Sequence, residues 1–149
     1  MEASTTWPIQ CEIPVQWGDM DALGHVNHTI YIKWMETARM HYFNACGFSE
    51  TYTTQGIGPI LAAIEVEYLR PVVFGETIRV ETRMSRIGRA SFDMEYRLTS
   101  VSASPEQVAL GLAKCVVYNY TTAKPTPMDE TLRTAIDSLE ASGAPPSQA

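Results

Sequence analysis

The densest group of reactive side chains in the sequence is the run Asp19-Met20-Asp21-Ala22-Leu23-Gly24-His25-Val26-Asn27-His28. It stands between a segment patterned as a strand and one patterned as a helix, and Asn27 is a good cap for that helix. Two carboxylates therefore lie just ahead of backbone N–H groups that a helix start leaves unpaired. The positive end of the helix dipole keeps a nearby carboxylate ionised and can hold an oxyanion as it develops on a carbonyl. Together they suit attack on an activated acyl group. Other readings of the same residues stand beside this one. On spacing alone Asp21 is equally a turn residue satisfying local N–H groups. His25 and His28, with the two acids, are possible metal ligands, but their spacing fits no recognised metal pattern. Asp19 reads as a brace for the loop and is the first alternative should Asp21 be dispensable. No Gly-x-Ser-x-Gly elbow occurs, which argues against a serine-nucleophile route.

The elements that must position this run are legible from periodicity. Ile9, Cys11, Ile13, Val15 and Trp17 alternate with polar residues or Pro14, which predicts a half-buried strand. Pro14 cannot donate to a ladder, so that strand belongs at a sheet edge or beside a bulge. After Asn27, Tyr31, Met35, Ala38, Tyr42 and Ala45 fall at helical spacing, and Gly47 marks the helix end. Glu36 and Arg39 are spaced to pair across one turn. A Gly/Thr/Pro-rich link follows. Then come period-two runs at Ala62–Tyr68, Ile78–Met84 and Phe92–Leu98, and a run from Val108 to Tyr120 that is apolar on both faces. The last suggests a central strand covered on both sides. Met128, Leu132, Ile136 and Leu139 predict a short C-terminal helix, with Asp129 and Glu130 in its first turn. Short turns between successive strands imply an antiparallel sheet, so the class is α+β, most economically one five-stranded sheet curled around one long central helix.

Composition bounds the function. The chain has 149 residues, 45% hydrophobic and 19% charged, enough for one domain with a sizeable core. We expect a single domain over 1–141 and a flexible tail over 142–149. Seventeen acids against eleven Lys and Arg give a net charge of −6, which argues against a general nucleic-acid binder. The longest apolar stretch, Ile60 to Ile64, is too short to span a bilayer, and Met1–Thr6 shows no secretory signal. Cys11, Cys46 and Cys115 form neither a disulfide framework nor a zinc pattern, so a cytoplasmic setting is expected.

The Asp19–His28 block with Tyr31, the helix run Trp34-Met35-Glu36-Thr37-Ala38-Arg39, and Tyr68-Leu69-Arg70-Pro71-Val72-Val73-Phe74-Gly75-Glu76 together resemble the 4-hydroxybenzoyl-CoA thioesterase family of hotdog-fold acyl-CoA thioesterases. The resemblance runs from about Ile9 to about Leu139. It implies a hotdog fold and hydrolysis of an acyl- or aroyl-CoA thioester with no cofactor, CoA being part of the substrate. It places the catalytic carboxylate at Asp21 and the oxyanion donor at the His28 backbone N–H. Gly24 lets the loop approach the thioester, and Asp19, His25 and Asn27 are possible supporting residues. Tyr31 is a candidate for substrate contact, and Arg86, Arg89 and Ser91 for the CoA phosphates. Tyr31, Trp34 and Met35 could line an acyl tunnel, although such a stripe also reads as plain core. The substrate would be an acyl-CoA or acyl-carrier-protein thioester, held at a subunit interface of a homodimer or homotetramer. Where many relatives have a second Asn, this chain has His28, which bears on substrate preference. Relatives that place an acid on the central helix lack one in the loop; here the loop acid is present, so Glu36 reads as a structural partner of Arg39. Two rivals fit the same residues: a non-catalytic acyl-CoA-binding or scaffold module, and a hotdog hydratase or dehydratase.

Overall fold

Residues 7–142 are described by a computed structural model of the chain. The strands follow the alternation closely. In β3 (Thr77–Ile87) the residues Ile78, Val80, Thr82 and Met84 are buried, as are Phe92, Met94, Tyr96 and Leu98 in β4 (Ser91–Ser100). With β1 (Ile9–Pro14), β2 (Ile57–Tyr68) and β5 (Glu106–Asn119) they form one antiparallel sheet in the order β1-β3-β4-β5-β2. Pro14 ends β1 at the sheet edge, where a missing N–H costs no ladder bond. Beyond β5 the chain doubles back through Ala123, and β6 (Lys124–Pro125) pairs with it over two residues. The sheet thus has six strands, one more than expected.

The central helix α1 (His28–Cys46) begins after Asn27 and ends at Gly47, as the spacing predicts. Its buried face carries Tyr31, Trp34, Met35, Ala38, Tyr42 and Cys46. Contacts with the sheet are close: an atom in the Cβ position of Gly111, on β5, would lie 2.7 Å from Met35 Sδ. Only a glycine lets helix and strand approach this far. The C-terminal helix α3 (Glu130–Ser142) buries Leu132 and Ile136. Ser142 is its last residue, and the rest of the expected tail lies outside the described residues.

Three features differ from the pattern reading. The link after Gly47 contains a second helix, α2 (Phe48–Gln55), fastened by fully buried Phe48 against Phe43 and Phe92. Strand β2 begins at Ile57, well before Ala62, and its register shifts between Leu61 and Ala63. Ala62 and Tyr68 are accordingly exposed, while Ile64 and Val66 are half-buried. Strand β5 is flanked by β4 and β2 as a central strand should be, but Leu110, Leu112 and Val116 remain half-buried. The outer surface of β3 and β4 carries charge instead, with Arg83 paired to Glu95 and Arg97 to Glu81. Both guanidinium groups stack on Trp7 at 4.4 Å, a contact that periodicity does not reveal.

The helix–sheet approach at Gly111 gives a direct test. Gly111→Ala is expected to destabilise the protein by about 1 kcal/mol or more, because the enclosed Met35 must give way. Gly18→Ala, at a site with nothing within 4 Å, should stay within about 0.5 kcal/mol. Urea unfolding of the two variants makes the comparison.

Candidate active site

The acidic run folds as a small hairpin that delivers one carboxylate to the start of α1. Asp19 closes the 3-10 turn Trp17–Asp19, its Oδ2 accepting the Gln16 N–H at 2.8 Å. Asp19 is therefore a brace. Met20 and Val26 then form an isolated antiparallel bridge, and Asp21 to His25 make the turn between them. The Asp21 N–H donates to the His25 carbonyl and the Gly24 N–H to the Asp21 carbonyl, both at 3.0 Å. Gly24 has φ +81, a left-handed conformation that side chains resist. The turn itself requires glycine there.

Asp21 is exposed, and both its oxygens are engaged. Oδ1 accepts the Leu23 N–H at 2.9 Å and Oδ2 accepts the Asn27 amide at 3.2 Å. Asn27 also caps α1, its Oδ1 accepting the Thr29 N–H at 2.9 Å, while its carbonyl takes the Ile30 N–H. One side chain thus fixes both the carboxylate and the helix start. Among the described residues the His28 N–H has no acceptor. The His28 carbonyl accepts the Tyr68 hydroxyl at 2.9 Å, which ties β2 to the helix start. Tyr68 is joined to this group by that bond, whereas period two alone places it only on a strand.

A second layer holds the hairpin. The Val26 N–H donates to the Val72 carbonyl and the Val15 N–H to the Glu76 carbonyl. The Arg70–Glu76 segment is itself locked: Glu76 accepts from the Arg70 guanidinium at 2.9 Å, the Ser100 hydroxyl at 2.6 Å and the Val73 N–H at 2.8 Å. Arg70 also pairs with Glu106. Burial would raise the Glu76 carboxyl, but these donors outweigh it and hold it below the usual range. Tyr31 lies beneath, 3% exposed, with its ring edge-on to Tyr68 and its phenol pushed up chiefly by burial.

Other candidate residues fall elsewhere. Trp34 and Met35 are core. Glu36 lies 3.8 Å from Arg39, a loose pair. Arg86 is bound to Asp93 and Ser91, and Arg89 is exposed at the β3–β4 turn. That turn is at the far end of β3 from Glu76, roughly 30 Å away at about 3.3 Å per residue. One chain does not bring Arg86, Arg89 and Ser91 to Asp21. His25 and His28 are exposed, and no three His, Cys, Asp or Glu side chains among the described residues gather in a way that could hold a metal. Burial pushes the Cys46 and Cys115 thiols up to about 11, leaving them poor nucleophiles.

A curled antiparallel sheet around one helix, with a carboxylate-bearing turn at the helix start, defines a hotdog protein of the thioester-hydrolase class. Residues 15–136 match the thioesterase-like superfamily, and the chain belongs to it. A thioesterase from Thermus thermophilus, solved with coenzyme A and Zn, is 31% identical and superposes with a TM-score of 0.80 over 92% of this chain and 97% of that one. A thioesterase-superfamily structure from a Jannaschia species is 26% identical, with a TM-score of 0.84 over 92% and 86%. A 4-hydroxybenzoyl-CoA thioesterase variant solved with 4-hydroxybenzoyl-CoA is 17% identical and shares the fold, with a TM-score of 0.79 over 86% and 97%. Four curated relatives are 25–32% identical over 40–69% of their own length. No described helix is long and apolar enough to cross a membrane.

Because the folded Glu76 carboxyl is held low, its contribution is complete above the ordinary carboxylate range and fades as pH falls through its depressed value. Glu76→Gln is expected to cost about 1–2 kcal/mol at neutral pH. The difference from the parent protein should shrink steadily below about pH 4. Urea unfolding across that range reads it; a constant difference would place the cause outside the ionised carboxylate.

Proposed function

We propose that the protein hydrolyses an acyl- or aroyl-CoA thioester to the free acid and CoA, with Asp21 as the reacting carboxylate and the His28 N–H as oxyanion donor. The observation that carries this reading is the double role of Asn27, which joins an exposed carboxylate to a helix start whose first N–H has no acceptor. Two routes lead to the same products. In one, an Asp21 oxygen bonds to the thioester carbon, the sulfur leaves as thiolate, and water cleaves the resulting mixed anhydride. In the other, Asp21 takes a proton from water as that water attacks. In both, charge develops on the acyl oxygen, which the His28 N–H meets, and the thiolate gains a proton as CoA departs. Water is the only co-substrate, so the scheme draws on no metal or cofactor.

The reading includes a second copy of the chain. β2 is a twelve-residue edge strand that leaves Ile60, Leu61 and Tyr68 between 38% and 43% exposed. Unpaired N–H and C=O groups beside exposed apolar side chains favour strand pairing. Pairing β2 with its counterpart about a two-fold axis would set each copy against the other's His28 and Tyr68. Arg86, Arg89 and Ser91 stand at the far end of β3 from Glu76 and would serve CoA phosphates held away from the thioester by the pantetheine arm, or those of another copy's substrate in a dimer of dimers. Three unpaired cysteines fit the reducing cytoplasm.

Asp21→Asn and Asp21→Ala should lower kcat on a good acyl-CoA by about 10²–10⁴-fold, with thermal melts near the parent's. Release of free thiol across an acyl-CoA panel is the measurement. Parental rates in Asp21→Ala would remove the assignment. A light-scattering mass of at least twice 16.6 kDa is expected, and a monomer would overturn the shared-site reading.

A further inference from the structure

Away from the Asp21 hairpin, a cavity of about 550 Å3 opens between α1, α2 and the first part of β2. Most of its wall is apolar, contributed by Met40, Phe43, Phe48, Tyr52, Ile60 and Leu61. Its polar lining is Ser49, Thr53 and the charged pair Glu36 and Arg39, of which Arg39 is 6% exposed. A guanidinium carries five N–H donors. Here one nitrogen donates to the Tyr96 hydroxyl at 3.0 Å, and another stands 3.8 Å from the Glu36 carboxylate, beyond hydrogen-bond length. Arg79 Nε is the one described side-chain nitrogen or oxygen that is both buried and unpartnered, so the remaining Arg39 nitrogens are accessible and free to take a further acceptor.

The cavity is in line with the hairpin. His28, Ile32, Glu36, Arg39 and Phe43 recur along one stripe of α1. β2 accompanies that stripe, with Tyr68 bonded to His28 at one end and Gly58 to Leu61 at the cavity. Arg39 stands eleven residues beyond His28 on the helix, roughly 16 Å at 1.5 Å per residue. An aroyl ring held at His28 is too short to reach it; an extended acyl chain is not.

We propose that this cavity is the acyl subsite of the thioesterase and that Arg39 and Glu36 select a long acyl chain bearing a hydroxyl on its distal part. The inference rests on the hydrolase reading above and names its substrate class. A hydroxyl is the group that uses both partners, accepting from the guanidinium and donating to the carboxylate. A distal carboxylate would meet the charge of Glu36. A plain alkyl end would leave the loose pair bridged by nothing. Arg39 and Glu36 are specificity-determining residues in this scheme, and the bond-breaking step stays at Asp21.

The test is equilibrium binding by calorimetry to the intact protein, with non-hydrolysable CoA thioether analogues. The ω-hydroxydodecanoyl analogue is expected to bind about tenfold or more tightly than the dodecanoyl one. The ω-carboxy analogue should gain no such advantage. Glu36→Leu should erase the hydroxyl preference; Glu36 is 63% exposed, so the fold should tolerate the change. Met40→Trp, which fills the cavity from a residue 48% exposed, should weaken both long analogues relative to a benzoyl one. Equal affinity for hydroxylated and plain chains, a preference that survives Glu36→Leu, or tightest binding of the ω-carboxy analogue would overturn the proposal. Binding needs no turnover, so an active Asp21→Ala would sink the catalytic assignment while these affinities still decide the subsite.

Discussion

The burial of α1 in the concave face of the sheet is the constraint on which every functional position depends. Met35, Ala38 and Tyr42 are fully enclosed, and Gly111 supplies the room for Met35. The helix cannot slide or rotate without driving side chains into the sheet, since packed interiors have no slack. Its far half is pinned as well. The Tyr42 hydroxyl donates to Glu140 at 2.5 Å, and the same carboxylate oxygen accepts the Met84 N–H at 2.8 Å, so α1, α3 and β3 meet at one acceptor. Burial first, and then the neighbouring carboxylate, push the Tyr42 phenol upward, which keeps it a neutral donor. A helix held in this way presents its first N–H at a fixed place.

The hairpin is then built onto that fixed point from two sides. Asn27 reaches from the helix start to Asp21, and the Arg70–Glu76 segment holds Val15 and Val26 from behind. Each support is a neutral or charge-assisted hydrogen bond to a main-chain group or a short side chain. Such contacts position a carboxylate without burying it. Glu76 contrasts with it, a half-buried carboxylate whose charge is matched by Arg70, whereas Asp21 is exposed and solvated.

Much of this arrangement is legible in the sequence, and the failures have physical causes. Phe92, Met94, Tyr96 and Leu98 alternate because one face of β4 meets the helix, and period two reports that directly. Asn27 and Gly47 mark the ends of α1 because both act through local backbone geometry. The helix Phe48–Gln55 was invisible: three threonines and a single apolar anchor give little propensity and almost no periodicity, and Phe48 becomes decisive only when Phe43 and Phe92 arrive from elsewhere in the chain. The early part of β2 was hidden by Gly58 and Pro59, which read as breakers but are tolerated on an edge strand. The ten residues of the hairpin announced themselves as a cluster. Tyr68, forty residues away in sequence, could join them only through the fold. Arg86 and Arg89 form a basic turn that is visible in the sequence, and the length of β3 sets it at the far end of that strand from Glu76.

The exposure of the hairpin sets how strongly its polar groups can act. Two unit charges 4 Å apart interact by about 1 kcal/mol in bulk water and by about 4 kcal/mol at an effective dielectric of 20. A donor open to solvent competes with water and contributes little, so in the proposed oxyanion role the His28 N–H gains force only when water is excluded. Little within the described chain can do this, since Trp17, Leu23 and Phe74 around the hairpin are 52–85% exposed. These side chains are apolar, and so is much of the neighbouring β2 edge, so the surface that stays wet in one copy is also the surface most easily dried by a second one or by the substrate. In the proposed reaction, the reactivity of Asp21 and the apolar character of its surroundings are two aspects of one requirement, since a carboxylate and an N–H act most strongly where water is excluded.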